Sequence, residues 1–299
     1  MTTRTPYQPA QPGGAALRAK MAAAPKHVVL FSGGHSSGLV AFEVARRYGP
    51  SKLVLLNHDI NARVEDPDIK RFKAEISRYL MVPITYANYC DPNMDQFDVA
   101  MKHKAWKINK DSVLCTHRLK TEPFQEWLAQ NDPNREFVYY YGFDLNEQTR
   151  ITRRIGELTV GQGYMADFPL AYTKHWPRTI RSTREVGIEP PLTYGVFKHA
   201  NCTGCIKAGR QHWYAVYVMR PDIFEKAKQA EAYIGYSIMK TRSGPEYLKD
   251  VEPLFASMKK HGIKPTEHID YRTFWGTIKK AGFDVEADEG DAKPCMCTF

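Results

Sequence analysis

The stretch HVVLFSGGHSSGLVAFEVARRYG, residues 27–49, decides the fold class of this chain. Its first five residues form a short apolar run rich in β-branched side chains, which is typical of a buried parallel strand. From residue 39 onward, apolar residues recur at helical spacing until Gly49 and Pro50 end the run. The segment between them, SGGHSSG, is therefore predicted to be a tight turn from a strand into a helix.

This turn has the composition of an anion-binding loop. Its two adjacent glycines allow positive φ and a close approach of the main chain to a ligand. Ser32, Ser36 and Ser37 supply hydroxyls, and the free N–H groups at the helix start point into the loop. We therefore expect the loop to bind a phosphate. A Gly–Ser turn without a ligand is the alternative.

Strands and helices alternate along the rest of the N-terminal two thirds. The pattern predicts further strands at residues 52–59, 82–89 and 136–144, and helices at residues 66–80, 121–130 and 146–158. This alternation indicates an α/β fold with a doubly wound, mostly parallel sheet. Ligands bind at the carboxyl ends of the strands in such sheets. Asp59, Gly142 and Asp144 follow strand ends, so we expect them on the same rim as the loop.

Composition predicts three regions. Residues 1–26, rich in Pro, Gly and Ala, indicate a flexible tail, residues 27–215 the α/β domain, and residues 216–299 a helical appendage with a cysteine-containing end. No apolar run approaches the ~20 residues that span a bilayer. The N-terminus also lacks the apolar core of a signal peptide. We therefore expect a cytoplasmic protein without a membrane partner.

The chain is basic. Its formal net charge is +9, with 42 Lys and Arg against 33 Asp and Glu spread along the sequence. This excess suits a polyanionic partner, either a nucleic acid or a multiply phosphorylated nucleotide. A well-solvated surface without such a partner explains the charge equally well.

Four of the six cysteines form two close pairs, a CxxC at Cys202 and Cys205 and a CxC at Cys295 and Cys297. In a cytoplasmic chain such pairs indicate metal or redox chemistry rather than disulfides. Soft thiolates select zinc or an iron–sulfur cluster. The residues leave open a cluster, a Zn²⁺ ion held by both pairs, and cysteines without a metal. Cys90 fits a small buried hydrophobe.

Five segments resemble, in order, the PP-loop ATP pyrophosphatases (adenine nucleotide α-hydrolases), and in particular their phosphoadenylyl sulfate (PAPS) reductase branch. SGG-x-x-S resembles the PP-loop, CTHRLKTEPFQEWL (115–128) the Cys-Thr, Lys and Pro segment, and YYYGFDLNEQTRITR (139–153) the Glu-x-x-Arg helix. FPLAYT (168–173) and GIEPPLTYGVFKHANCTGCIKAG (187–209), followed by HW, resemble the region of the second cysteine motif.

The resemblance implies that the loop binds ATP with Mg²⁺ through Ser32, Gly33, Gly34, His35, Ser36 and Ser37. The family's loop reads SGGxDS, whereas serine stands here in the aspartate position, directly after His35. An acidic side chain that helps to place Mg²⁺ is therefore missing. His35, Asp59 and Asp144 are the candidates to replace it. Alternatively, His35 donates a hydrogen bond to a phosphate oxygen, or is simply a polar residue at a helix start.

The resemblance also implies catalytic roles for Lys120, Arg118, Cys115 and Cys297. The two cations would neutralise charge that develops on a transferring phosphoryl or sulfonyl group. For each of them, a solvated surface cation is the alternative. The tail cysteine Cys297 would act as a thiolate nucleophile, a role that Cys295 could equally take.

Cys115, Cys202 and Cys205 match thiolate positions of the family's [4Fe–4S] version, with a fourth ligand from Cys295, Cys297 or a non-protein group. Sulfonucleotide reductases of this type have two adjacent cysteines at the first position, but Leu114 precedes Cys115 here. Around the CxxC lie four polar residues that can lower thiol pKa values or hydrogen-bond to the motif: His199, Lys207, Arg210 and His212. For His199, a role as a metal ligand is the alternative.

Three functions remain as hypotheses. The first is ATP-dependent sulfur transfer, which in known relatives thiolates tRNA or DNA, here alone or with a cysteine desulfurase. The second is reduction of a sulfonucleotide to sulfite with a thiol reductant, although CMCTF replaces the reductases' Glu-Cys-Gly-x-His ending. The third is a non-catalytic nucleotide or nucleic-acid binder. The retained loop favours the first, because a sulfonucleotide has no β,γ-pyrophosphate.

Overall fold

The computed structural model describes residues 14–88, 94–109, 112–200, 202–241 and 244–285. Three of the cysteines considered above, Cys90, Cys295 and Cys297, lie outside the described residues. The predictions made for these three cysteines therefore stay predictions. Within the described ranges, no helix is both long enough and apolar enough to cross a membrane.

A parallel sheet forms the centre of the molecule. Its strands lie in the order β3-β2-β1-β4-β5, and every neighbouring pair is parallel. The strands are β1 (His27–Leu30), β2 (Leu53–Asn57), β3 (Ile84–Tyr86), β4 (Val138–Tyr140) and β5 (Met165–Asp167). The predicted α/β class and parallel sheet are confirmed. Strand β5 was not predicted, because its sequence, Met-Ala-Asp, contains none of the β-branched or aromatic residues that mark a strand.

Helices connect and cover the strands. Eleven α-helical segments are present in the described residues: α1 (Ala15–Ala23), α2 (His35–Tyr48), α3 (Pro67–Leu80), α4 (Gln96–His103), α5 (Leu114–Thr116), α6 (Glu122–Asn131), α7 (Gln148–Arg154), α8 (Arg210–Met219), α9 (Pro221–Ile234), α10 (Leu248–Lys260) and α11 (Tyr271–Lys280). A π-helical turn (His117–Thr121) joins α5 to α6. A short antiparallel hairpin, β6 (Met239–Thr241) and β7 (Gly244–Glu246), precedes α10.

The sheet is covered on both faces, as in a doubly wound fold. Successive residues of β1 alternate between two cores, with Val29 packed in the core that contains α2 and α3, and Val28 and Leu30 in the core that contains α6. All four residues of β1 are buried. This double burial explains why β1 has an unbroken apolar pattern instead of an alternating one.

Residues 15–23 form helix α1, although the sequence analysis placed them in a flexible tail. Their composition, AALRAKMAA, has a high intrinsic helix propensity. Met21 and Ala24 are buried in the same core as α2, so tertiary packing holds this segment against the sheet. The Pro- and Gly-rich part that suggested a tail lies largely in residues 1–13, outside the described residues.

The C-terminal helices share a core with the middle of the chain. Helices α8 to α11 contribute Trp213, Phe224, Phe255 and Trp275, and α4 contributes Phe97. The helical character predicted after residue 215 is therefore present. However, the boundary predicted at residue 215 runs through one continuous core rather than between two.

Candidate functional site

In the turn between β1 and α2, the second residue has a backbone conformation that glycine adopts readily and other residues do not. Gly33 has φ +83°. A Cβ atom at Gly33 would lie 2.8 Å from Cγ2 of Ile69 and 2.9 Å from Cγ of Lys73. The loop is closed by hydrogen bonds between its own residues, including one from Ser37 Oγ to the Gly34 carbonyl at 2.8 Å. The predicted conformation of this loop is thus present, because left-handed backbone and close packing both require Gly33.

The loop opens into a cavity of about 740 Å³. This volume is within the range of small-molecule and nucleotide sites. Five residues of the predicted nucleotide site line it: Ser32, Gly34, Ser36, Ser37 and Gly142. Both charge signs are present on the other walls, with Arg150, Lys198 and Lys207 as cations and Glu147, Glu267 and Asp270 as acids.

Gly142 joins the end of β4 to the loop. A Cβ atom at this position would lie 2.9 Å from the Ser37 main-chain nitrogen and 3.1 Å from the Ser36 carbonyl carbon. Both neighbouring atoms belong to the main chain, so they cannot move aside as the end of a flexible side chain could. Gly142 is therefore required because two main-chain segments meet here.

The imidazole of His35 forms a contact within the protein. His35 Nε2 accepts a hydrogen bond from the Thr183 main-chain N–H at 3.2 Å. Burial, with a smaller effect of Arg184, lowers the pKa of His35, which favours the neutral ring. The His35 side chain is not among the residues that line the cavity. This placement fits a structural role better than a Mg²⁺ or phosphate ligand.

The two acidic candidates for a Mg²⁺ ligand have other partners. Asp144 accepts a hydrogen bond from the Asn146 N–H at 2.7 Å, and its own N–H donates to Glu147 in a capping box. Asp59 pairs with Lys70 at 3.1 Å. Asp59 borders a second, smaller cavity, called the cysteine cavity because Cys115, Cys202 and Cys205 also line it. Glu147, paired with Arg150, lines the large cavity.

The two cations predicted near Cys115 differ in position. Arg118 pairs with Glu122 at 2.7 Å, and its side chain is 46% exposed. It does not line any of the three cavities described for this site. Lys120 lines both the cysteine cavity and a third, smaller cavity. Of the pair, only Lys120 is brought to the site.

Cys115, Cys202 and Cys205 come together. These three cysteines, from two distant segments, line one small cavity with Lys120 and Lys207. No disulfide links any of the described cysteines. Thiols gathered beside lysines are suited to ionise and to bind a soft metal.

The CxxC turn is fixed by backbone hydrogen bonds. Buried Gln96 donates to the carbonyls of Thr203 and Gly204, at 2.9 and 3.2 Å, and the Thr203 N–H donates to the Val64 carbonyl at 2.8 Å. Gly204 has φ +72°, and a Cβ there would lie 2.6 Å from Ile223. The two cysteines are therefore presented by a rigid turn.

The third cavity connects the loop with the cysteines. It is lined by Ser32 of the loop, Lys120 and Cys202, together with residues that follow β2. Lys207, in turn, borders both the large cavity and the cysteine cavity. The loop and the sulfur-bearing side chains are thus neighbours, and a lysine lies between the cavities at each of the two places where they adjoin.

A buried ion pair between Lys73 and Glu65 stabilises the residues that lead into the loop. Lys73 is 2% exposed, and its Nζ lies 2.8 Å from Glu65 Oε1 and 3.2 Å from Asn57 Oδ1. Asn57 in turn donates to the Phe31 carbonyl, directly before the loop. Burial lowers the pKa of Lys73, although the adjacent Glu65 opposes this effect. The network ties α3, β2 and the start of the loop together.

Sequence reasoning missed the most buried acid of the cavity wall, Glu267. Glu267 Oε1 lies 2.5 Å from His212 Nδ1, and Oε2 accepts from the Lys198 N–H at 2.9 Å and lies 3.8 Å from His199 Nε2. The two histidines flank the CxxC in sequence, but Glu267 comes from the segment between α10 and α11. No local pattern marks it, because its partners are more than fifty residues away.

The ligand atoms of His199, His212 and Glu267 lie within 4.8 Å of one another, close enough for a metal ion. However, the Cys205 N–H donates to His212 Nε2 at 3.3 Å. This bond makes Nε2 an acceptor, so the proton is on Nδ1 and is donated to Glu267. Neither nitrogen of His212 then offers a lone pair to an ion. The arrangement therefore favours a hydrogen-bond relay from the CxxC turn to Glu267.

We expect Glu267→Gln to lower the free energy of unfolding at pH 7 by about 3 kcal/mol. Burial opposes the charge of Glu267, but the hydrogen bond from His212 outweighs it and lowers the pKa from 4.5 to about 2. Because the folded-state pKa is depressed, this stabilisation is complete above pH 4.5 and is lost as the pH falls toward 2. Urea unfolding of both proteins between pH 7 and pH 2.5 checks this.

The control is Glu189→Gln, which removes an exposed carboxylate paired with Arg184. Its cost should stay below about 1 kcal/mol. A difference between wild type and Glu267→Gln that is the same at every pH would contradict the assigned ionisation.

The loop, the two lysines and the three thiols lie together where β1, β2 and β4 end. This is the edge at which parallel α/β sheets bind their ligands. Main-chain amides at the start of a helix therefore lie close to three thiol side chains at this edge. Comparison with protein-family models gave no match for this chain, and comparison with curated protein sequences gave none either.

Proposed function

We propose that this chain is a PP-loop enzyme of the PAPS reductase family that binds ATP with Mg²⁺ and uses it to transfer sulfur to an acceptor. One observation carries the proposal: Ser32 of the phosphate-type loop and Cys202 of the CxxC line the same cavity, with Lys120 beside them. A nucleotide site alone would not need thiols, and a structural metal site would not need the loop. Because the loop and the thiols are adjacent, we favour a reaction that uses both.

In this proposal the main-chain amides and hydroxyls of the loop hold the β,γ-pyrophosphate of ATP. An oxygen of the acceptor attacks the α-phosphorus, the bond to the β-phosphate oxygen breaks, and pyrophosphate leaves. Sulfide from a donor then replaces the adenylylated oxygen, and AMP leaves. Lys120 is the group that neutralises negative charge as it develops near the thiols.

In this proposal Cys115, Cys202 and Cys205 would supply three thiolates for a [4Fe–4S] cluster. The alternative is a Zn²⁺ ion held by the two close pairs, Cys202 with Cys205 and Cys295 with Cys297. The shared cavity and the flanking lysines fit a thiolate-bound metal. The fourth ligand in this proposal is Cys295, Cys297 or a non-protein group. With a non-protein group as its fourth ligand, such a cluster would supply a binding position for the sulfur that is to be transferred.

The proposed acceptor is a nucleic acid, tRNA or DNA. The net charge of +9 supports this choice, because excess positive charge attracts a phosphate backbone. Exposed lysines at the ends of α10 and α11 add local positive charge: Lys259, Lys260, Lys279 and Lys280. A cysteine desulfurase is the proposed class of sulfur donor, together with a thiol reductant that releases its persulfide sulfur as sulfide and is itself oxidised to a disulfide.

The test uses anaerobically purified protein in two reactions. The first contains ATP and Mg²⁺, with and without bulk tRNA or DNA, and pyrophosphate is measured. The second contains adenylyl sulfate and a dithiol, and sulfite is measured. We expect pyrophosphate in the first reaction, increased by the nucleic acid, and no sulfite in the second. Lys120→Met should reduce pyrophosphate release at least about tenfold, because one compensating charge is lost.

Arg118→Met is the matched control, since Arg118 lies two residues away but pairs with Glu122 outside the cavities. It should retain the wild-type rate. Release of sulfite without release of pyrophosphate would contradict the proposal and identify a sulfonucleotide reductase. Neither product, in a protein that binds ATP, would indicate a binding protein without catalysis.

A further inference from the structure

The hydroxyl of Tyr194 lies in the phosphate-type loop itself. Tyr194 Oη accepts a hydrogen bond from the His35 main-chain N–H at 3.0 Å. The same oxygen would lie 3.2 Å from a Cβ atom built on Gly34. Tyr194 also lines the large cavity together with Ser36 and Ser37. A side chain from far along the chain therefore caps the start of α2.

The amide that Tyr194 caps is one of the main-chain N–H groups that would bind a phosphate in this loop. His35 is the first residue of α2, and the first four N–H groups of a helix have no partner within the helix. A bound phosphate places its oxygens at hydrogen-bond distance from such amides. The Tyr194 oxygen already occupies one of these positions. A phosphate oxygen and the hydroxyl oxygen cannot both occupy it.

Tyr194 is presented by a short turn that is anchored on two sides. The turn is the 3₁₀ segment Leu192–Gly195. The Leu192 N–H donates to Asp68 Oδ2 on α3 at 2.5 Å. The Tyr194 carbonyl lies 2.6 Å from His268 Nε2, in the segment before α11. Burial raises the pKa of Tyr194, so the group at the loop is a neutral hydroxyl.

We propose that Tyr194 is a displaceable internal ligand of the phosphate site, which holds the His35 amide until a phosphate oxygen of ATP replaces it. This inference rests on the proposed function, since it takes the loop to be the site of the triphosphate.

The experiment compares ATP binding to wild type and to Tyr194→Phe by calorimetry, with Mg²⁺ present and with inorganic pyrophosphate as a second probe. The substitution removes only the oxygen. Wild type must break the hydroxyl–amide bond before the phosphate binds, whereas the variant need not. Since such a bond contributes modestly in water, we expect Tyr194→Phe to bind ATP about two- to tenfold more tightly.

Tyr79→Phe is the control, because it removes the hydroxyl of an exposed tyrosine on α3. Its affinity should equal that of wild type. Equal or weaker binding by Tyr194→Phe, while wild type binds ATP, overturns the displacement and leaves the proposed function standing. If neither protein binds ATP or pyrophosphate, the proposed function fails and the displacement fails with it.

Discussion

Replacing Gly142 by alanine is expected to weaken ATP binding by about a hundredfold while the protein stays folded. The added methyl group would lie 2.9 Å from the Ser37 main-chain nitrogen and 3.1 Å from the Ser37 Cα. To relieve this contact, the end of β4 or the first turn of α2 must move. A shift of about 1 Å in groups that position a substrate can cost about a hundredfold in function.

Two measurements check this prediction. Calorimetric titration with ATP and Mg²⁺ gives the affinity, and circular dichroism shows whether the α/β fold is retained. Gly276→Ala is the matched control, because a Cβ there has nothing within 4 Å and the residue lies inside α11. It should leave affinity unchanged and increase stability by about 0.5–1 kcal/mol. ATP binding by Gly142→Ala at wild-type affinity would show that the loop is not the phosphate site.

Lys73→Met should lower the free energy of unfolding by about 3 kcal/mol. It removes the cation 2.8 Å from buried Glu65 and the donor to Asn57. The remaining carboxylate would be poorly compensated, although Lys70 still lies 3.2 Å from it. Because Asn57 holds the carbonyl of Phe31, the entry into the loop should loosen as well.

Urea unfolding of three variants tests this prediction. The double variant Lys73→Met with Glu65→Gln should recover more than half of the loss, because it no longer leaves a buried unpaired charge. Lys70→Met removes a cation that is 36% exposed and should cost about 1 kcal/mol or less. If Lys73→Met lowers the free energy of unfolding no more than Lys70→Met does, the ion pair between Lys73 and Glu65 does not stabilise the loop.

The parts that the sequence predicted depend on contacts near in sequence or on strong periodicity. Strand β1, its loop and α2 were predicted because burial on two faces, glycine geometry and helical spacing act within 23 consecutive residues. The rim position of Gly142 followed from the rule that parallel strands share their carboxyl ends. The sequence also contains two local signals of structure that were not used. Asp144-Leu-Asn-Glu147 has the spacing of a capping box, and Lys73 lies on the apolar face of α3.

The parts that sequence reasoning missed depend on tertiary contacts. Tyr194 reaches His35 across 159 residues, and Glu267 reaches His212 across 55. Tyr194 lies in a short 3₁₀ turn and Glu267 in the segment between α10 and α11, so neither segment has a regular periodicity. Their side chains are ordinary in type, so only the folded arrangement gives them partners. Irregular segments that cover a regular sheet are therefore where a sequence says least about a site.

The core shared by α4 and helices α8 to α11 has a consequence for how this chain can be divided. Phe97, Trp213 and Trp275 pack in one cluster, although nearly 180 residues separate the first from the last. A fragment that ends at residue 215 would leave aromatic rings without their cover and would tend to aggregate. An engineered chain that takes the loop and α4 from this protein would therefore also have to include helices α8 to α11.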